Sequence, residues 1–173
     1  MKMFKKQFIV STFGGKTTYI NILDQVNEAI EESKVQSGLI FILTAHTTCS
    51  VFYEEFSHDI NDYGDEFLQE DLNVILRKII PNHESASTYM YPGEEHYKEV
   101  ESWPDAESYL PNGDRSALWN GDGHLKSTLI GNSVTLDIEN GKLGVGSTGY
   151  VYFADFDTTR ARERKFKVVI LGQ

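Results

Sequence analysis

The residue pattern predicts an α+β fold in one domain spanning residues 1–173: a compact, β-sandwich-like arrangement of mixed sheets with two main helices. Three observations carry this reading. Apolar and β-branched runs stand towards both ends of the chain, two stretches between them repeat apolar residues at helical spacing, and Asn140-Gly141 punctuates an alternating run as a tight hairpin turn does. Strands, then helices, then further strands is the order of an α+β chain.

Taken in order, Lys5 to Phe13 is rich in strand formers, Gly14-Gly15 marks a turn, and Thr17 to Ile22 continues as strand, so the two are expected to pair as a hairpin. Leu23, Val26 and Ile30 share one helical face, with Glu28, Glu31, Glu32 and Lys34 pointing outward and Asp24 placed to cap the helix. Gly38 ends the connection. Leu39 to Leu43 is an unbroken apolar run, expected to be a strand buried on both faces, and Val51-Phe52-Tyr53 is a second strand behind it. Leu68, Leu72, Ile75, Leu76 and Ile79 form the clearest amphipathic helix, which Pro81 terminates. Residues 82 to 117 hold Pro92, Gly93, Pro104, Pro111 and Gly113 and no regular period, which predicts a long loop, functional or mobile. His124 to Ile130 suits a short helix or a strand. Val134 to Ile138, Tyr150 to Phe156 and Phe166 to Leu171 complete the strands.

With 40% hydrophobic residues among 173, the chain can bury a sizeable core. The basic, then apolar start (MKMFKKQFIVSTF) is interrupted by Gln7 and Ser11 and lacks a small-residue cleavage site, so it reads as a strand and not a secretory signal. No apolar run approaches the ~18–20 residues of a membrane span. Cys49 is the only cysteine, which excludes an internal disulfide and a Cys-rich zinc site and suits a reducing, cytoplasmic setting. A net charge of −10 argues against nucleic acid and anionic membranes as partners, although Arg160, Arg162, Arg164, Lys165 and Lys167 make the C-terminal stretch locally basic.

Three constellations can carry chemistry. His46-Thr47-Thr48 follows the apolar strand, where an imidazole can bind a metal, move a proton or satisfy local backbone. Of Glu54 and Glu55, adjacent on the next strand, only one can face the same cavity. Asn120-Gly121-Asp122-Gly123-His124 gathers an amide, a carboxylate and an imidazole in a Gly-rich segment that can also be a plain turn. Asp155 precedes Arg160-Ala161-Arg162, guanidinium groups suited to phosphate or carboxylate or to surface pairing.

Together these segments resemble the YjbQ family, often labelled secondary thiamine-phosphate synthase enzymes. The likeness rests on Thr44-Ala45-His46-Thr47-Thr48 with an acid at Glu55, on Glu70-Asp71-Leu72 through Pro81, on Asn120 to His124 continuing through Lys126-Ser127 to Gly131, and on Gly141-Lys142-Leu143 through Gly146 to Asp155-Phe156-Asp157 and Arg160-Ala161-Arg162. Three departures stand out. Thr148-Gly149 replaces the family's usual Trp-Gln, Asp155 replaces a glutamate, and the stretch after Pro81 is longer, so that His96 is favoured over His83 as the third family histidine. The resemblance implies a homotrimer with a polar pocket near the subunit boundary. It also implies a weak synthase activity joining a hydroxymethylpyrimidine diphosphate to a thiazole phosphate with release of pyrophosphate. In that reading His46, Glu55, Asn120, His124 and Lys126 are catalytic, Thr47, Thr48, Arg160 and Arg162 bind the anion, and His46, His124 and His96 hold a divalent metal, zinc or magnesium. Two functions follow from the same residues: a metal-assisted transferase acting on phosphorylated small molecules (a metal-dependent hydrolase being a variant), or a trimeric protein that holds a metal ion or a small anion without turnover.

Overall fold

The computed structural model describes all 173 residues, Met1–Gln173. Eight strands and four helices run in the order β1 (Lys2–Thr12), β2 (Thr18–Asn21), α1 (Leu23–Ser33), β3 (Ser37–Thr44), β4 (Cys49–Glu55), α2 (Phe67–Ile79), α3 (Glu94–Glu101), α4 (Gly121–Ile130), β5 (Ser133–Glu139), β6 (Lys142–Leu143), β7 (Gly149–Asp155) and β8 (Arg162–Gly172). The strands form a five-stranded sheet ordered β1-β8-β3-β5-β6 and a three-stranded sheet ordered β2-β7-β4. Every pairing is antiparallel. The α+β sandwich is present, with four helices where the residue periods announced two.

The main core lies between the two sheets and α1. Ile40 and Ile42 of β3, Val51 of β4, Val151 and Phe153 of β7, and Phe166, Val168 and Ile170 of β8 meet Val26 and Ile30 of α1 there, all essentially inaccessible. Removing this much apolar surface from water is the principal force holding the sheets face to face. The opposite face of the smaller sheet carries Ala154, which packs with Phe156 under Leu76 of α2. Because β7 is covered on both faces, it is the strand in which consecutive residues, Val151 to Asp155, are all buried.

Several elements depart from the sequence reading. β1 and β2 do not pair as a hairpin: β1 lies against β8 and β2 against β7, so Gly14-Gly15 carries the chain from one sheet to the other, fixed by the Gly15 N–H donating to the Thr158 carbonyl at 2.8 Å. β3 is not buried on both faces. Ile40, Ile42 and Thr44 point inward while Leu39 is 47% exposed, because nothing covers the outer face of the larger sheet at that point. Gly38 lies within β3 rather than before it. Asp24 does not cap α1; the Leu23 N–H is taken by the Asn21 side-chain oxygen at 3.0 Å, and Asp24 falls in the first turn. Residues 82–117 are not structureless, since together with Leu118 they form α3, three short 3-10 turns and a small apolar cluster of Tyr97, Val100, Leu110 and Leu118. The 124–130 segment is helical, as part of α4. Asn140 and Gly141 both adopt positive φ (53° and 70°) and close the β5–β6 hairpin with Glu139 opposite Lys142, the geometry of a primed two-residue turn.

α2 is helical over the expected range and carries a capping box, in which Glu66 and Gln69 exchange side-chain and backbone hydrogen bonds. Its apolar stripe is only partly used. Leu76 is buried, but Leu68, Ile75 and Ile79 remain 39%, 49% and 64% exposed. No helix is long and apolar enough to cross a membrane.

Candidate functional site

The site grows out of the phase of β8. Phe166, Val168 and Ile170 face the core, so Arg164, two residues before Phe166, points into the same layer at the mouth of the sandwich. Asp155 ends β7 in phase with Val151 and Phe153 and meets it there. Arg164 Nε donates to Asp155 Oδ2 at 2.7 Å and Nη2 to Oδ1 at 3.2 Å, a bidentate pair between the two sheets with both residues buried. Such a pair survives burial only if its remaining lone pairs are satisfied. Here Thr12 Oγ1 donates to Asp155 Oδ2 at 2.9 Å, the Asp157 N–H to Oδ1 at 3.0 Å, and Arg164 Nη2 to Thr48 Oγ1 at 3.2 Å.

Asp157, just beyond β7, repeats the arrangement one step outward. Its carboxylate accepts Asn120 Nδ2 at 2.9 Å, Thr159 Oγ1 at 2.6 Å and the Thr159 N–H at 3.0 Å, and lies 2.7 Å from Arg162 Nη2. Burial alone would push this carboxyl up; the Thr159 hydroxyl, Arg162 and Asn120 outweigh it and hold Asp157 below the usual carboxylate range. Burial pulls Arg162 down from its ordinary value, with Arg160 and Arg164 adding repulsion that Asp157 opposes.

Two further segments close the site. Thr44, the last residue of β3, donates its hydroxyl to the Lys165 carbonyl at 3.0 Å and accepts the His46 N–H at 3.3 Å, which pins the 45–48 connection to β8. His46 Nε2 then accepts the Lys165 N–H at 3.0 Å. That bond fixes the tautomer: in the neutral ring the proton sits on Nδ1, so His46 offers a donor to the cavity and has no free lone pair. Burial lowers the His46 pKa, helped by Arg164 and opposed by Asp155. From the other side α4 packs its first turn on the end of β7. A Cβ at Gly123 would stand 3.0 Å from the Phe156 carbonyl oxygen, so any larger residue would press the backbone apart by a few tenths of an ångström; glycine permits the close approach that delivers Asn120 and His124. His124 is lowered by burial, against Asp157 and the Thr47 carbonyl, which favour its protonation. Ser127 Oγ, one turn on, donates to the Cys49 carbonyl at 2.7 Å and locks α4 to β4, above a cysteine that is wholly inaccessible and whose thiol burial pushes up.

These segments border an open polar cavity of about 220 Å³, lined by His46, Thr47, Thr48, Asn120, His124, Asp157, Arg162 and Arg164. Two buried polar atoms of its walls have no partner, the Arg162 Nε–H donor and the Asn120 Oδ1 acceptor. Unpaired buried groups of this kind are costly unless a ligand completes them.

Of the candidates taken from the sequence, His46, Thr47, Thr48, Asn120, His124 and Arg162 come together here. Glu55 does not: it lies at the far end of β4, opposite Gly149, six residues and roughly 20 Å of extended strand from Cys49. Arg160 turns aside, donating to the Tyr109 carbonyl at 3.1 Å and stacking over the Tyr109 ring. Lys126 is buried on another side of α4, 2.7 Å from Asp122 Oδ2 and 3.3 Å from Asn82 Oδ1. His96 stops one ring short, with Nε2 3.2 Å from the Tyr91 hydroxyl, while the Tyr91 ring meets His124 edge-on. His83 instead accepts the Gly121 N–H at 3.2 Å through Nδ1 and stacks on Trp119. Within a single chain, therefore, His46 and His124 gain no third ligand, and nowhere do three His, Cys, Asp or Glu side chains converge as a metal site. The Thr148-Gly149 pair lies with Glu55 at the far end of the sheet, where the Tyr53 hydroxyl occupies the space a side chain at 149 would need.

Sequence reading missed Asp157 and Arg164. Both were signalled, Asp157 as a second acid closing a long apolar strand and Arg164 as a charge in phase with the buried face of β8.

Residues 6–173 match the family described as UPF0047 protein, YjbQ-like. A UPF0047 protein of Archaeoglobus fulgidus is 29% identical over 143 residues, 83% of this chain and 84% of that protein. The UPF0047 protein YugU of Bacillus subtilis is 27% identical over 150 residues, 87% and 88% of the two chains. Among solved structures, an uncharacterised conserved protein of the YjbQ/UPF0047 family from Clostridium acetobutylicum superposes with a TM-score of 0.68 at 26% identity, covering 96% of this chain and 99% of that one. A YbjQ-like protein of unknown function from Sulfolobus solfataricus shares the fold, with a TM-score of 0.64 at 21% identity over 99% and 100% of the chains.

Proposed function

The chain belongs to the YjbQ-like UPF0047 family, and from that premise we propose that the cavity at the mouth of the sandwich binds the phosphate or diphosphate of a small molecule and supports transfer of its organic group. The observation that carries the reading is that the Arg162 guanidinium borders the same polar cavity as the His46 imidazole, whose Nδ1–H is left over once Nε2 accepts the Lys165 N–H. Both are donors, held rigidly by pairs that do not have to move when a ligand arrives.

In the thiamine-phosphate synthase-like reaction that the family resemblance suggests, a ring nitrogen attacks the methylene carbon bearing the diphosphate. A carbon–nitrogen bond forms, the carbon–oxygen bond breaks, and the electron pair leaves with the diphosphate. Arg162 and His46 face that growing charge. Arg164 is a positioning residue, spent on Asp155. His124, kept neutral near pH 7 by burial, is placed to take or return a proton on the organic side. Magnesium commonly reaches such sites bound to the substrate's own phosphates, a route that needs no protein ligand cage.

One observation favours the second reading, a binding protein without turnover. Arg162 and Arg164 are already matched by Asp157 and Asp155, which leaves little unspent positive charge to stabilise a departing diphosphate. Calorimetric titration with pyrophosphate, with and without magnesium, tests the anion site. Binding by the native protein, weakened at least tenfold in Arg162→Ala, is the expected result; no binding by the native protein would overturn it. Turnover of hydroxymethylpyrimidine diphosphate with thiazole phosphate then separates transferase from binder.

A further inference from the structure

His124 is a wall shared by two cavities of opposite character. On one side is the polar cradle; on the other is an apolar cavity of about 220 Å³ bordered by Tyr89, Met90, Tyr91, Gly121 and Leu125. We propose that this second cavity holds a single flat ring belonging to the molecule whose phosphate sits in the cradle, so that the ligand is a ring-bearing organic phosphate bent around His124. The inference rests on the cradle being an anion site.

Four features support it. The cavity is surfaced by ring faces and edges because both tyrosine hydroxyls are tied elsewhere, Tyr89 to the Pro81 carbonyl and Tyr91 to His96. The rings are held in place: Tyr89 packs edge-on against His83, which stacks on Trp119, and Tyr91 packs edge-on against His124 at 5.3 Å between centroids. Edge-on aromatic packing of this kind is a preferred geometry, and it leaves the walls pre-formed. Gly121 adds to the fit by presenting no side chain, since a Cβ there would come within 3.3–3.5 Å of His83, Tyr91 and Tyr89. At the mouth, Met90 is 98% exposed, a flexible thioether able to fold over an apolar guest. A volume of about 220 Å³ is ample for a ring. All of these rings except Trp119 and His124 come from the stretch after Pro81.

Calorimetric titration with inorganic phosphate, methyl phosphate and phenyl phosphate tests this. All three should bind the native protein, phenyl phosphate about tenfold more tightly than methyl phosphate, as burial of roughly 60 Å² of ring implies. Leu125→Gln, a half-exposed position outside the cradle, should erase that preference and leave the affinity for inorganic phosphate unchanged. Equal affinity of methyl and phenyl phosphate for the native protein, with inorganic phosphate still bound, would overturn the ring site and spare the cradle. A preference that survives Leu125→Gln would place the ring elsewhere and overturn it too. No binding of any of the three would overturn both readings.

Discussion

Replacing Arg164 by Ala strands Asp155, a carboxylate with no exposure of consequence, beside Thr12 and Thr48. Removing one partner of a buried ion pair typically costs about 3–5 kcal/mol. Urea denaturation should therefore show Arg164→Ala losing that much stability, and the double change with Asp155→Ala losing less than the sum of the singles. The buried histidines set a pH dependence. His46, His83 and His124 all have pKa values lowered by burial in the folded chain, so the unfolded state binds more protons once the pH falls below the ordinary histidine value of about 6.5. Stability is thus fully present above that pH and declines as pH falls towards the folded values. His83→Gln should flatten the decline in denaturation midpoints measured from about pH 7 to 5. Below about pH 4 a second decline should come from Asp157, whose carboxyl is held low when folded, and Asp157→Asn should remove it. The histidines were legible from residue type and place. Asp157 and Arg164 were signalled only by phase, as an acid closing a long apolar strand and a charge in line with the buried face of β8, and residue type alone reads them as surface charges.

At the scale of elements, the α4–β7 approach is the joint on which the site depends. A methyl group at Gly123 would press on the backbone of Phe156 and Asp157, which cannot rotate away as a side chain can. Gly123→Ala should cost about 1–3 kcal/mol in the same denaturation assay and weaken pyrophosphate binding, since Asn120 and His124 move with the helix. The equivalent change at Gly113, where a Cβ meets nothing within 4 Å but φ is +71°, should cost stability with no effect on binding. Most elements were legible through their periods: β3, α2, the β5–β6 hairpin and β8 all fall where the apolar spacing puts them. The β1–β2 hairpin was misread because a glycine pair between two strand-like runs signals a reversal but not which sheet receives the second strand. α3 and its cluster were missed because Tyr97, Val100, Leu110 and Leu118 are spread over polar sequence and gain their burial from each other only after the chain has folded back.

For the molecule as a whole, the feature that bears on assembly is the unburied stripe of α2. Leu68, Ile75 and Ile79 leave apolar surface in water on one helix face, joined by Phe67 at 52% exposure. The homotrimer implied by the family resemblance predicts a light-scattering mass of about three times the 19.6 kDa chain. Ile75→Glu together with Ile79→Glu should shift that mass towards a single chain if α2 lies in the contact, whereas an unchanged mass would move the contact elsewhere. Glu55 and Thr148-Gly149, far from the cradle within one chain, are the positions to watch in such an assembly, because a neighbour is the remaining way for them to approach a site.

Cys49 sits where α4, β4 and the cradle join, wholly inaccessible and with its thiol made harder to ionise. A maleimide or disulfide reagent can reach it only when that junction opens, which makes the single native thiol a clock for the opening rate. Labelling should be slow in buffer and rapid in denaturant. A bound phosphate ester should slow it further in proportion to its saturation, turning the time course into a measure of occupancy that needs no turnover and no introduced probe.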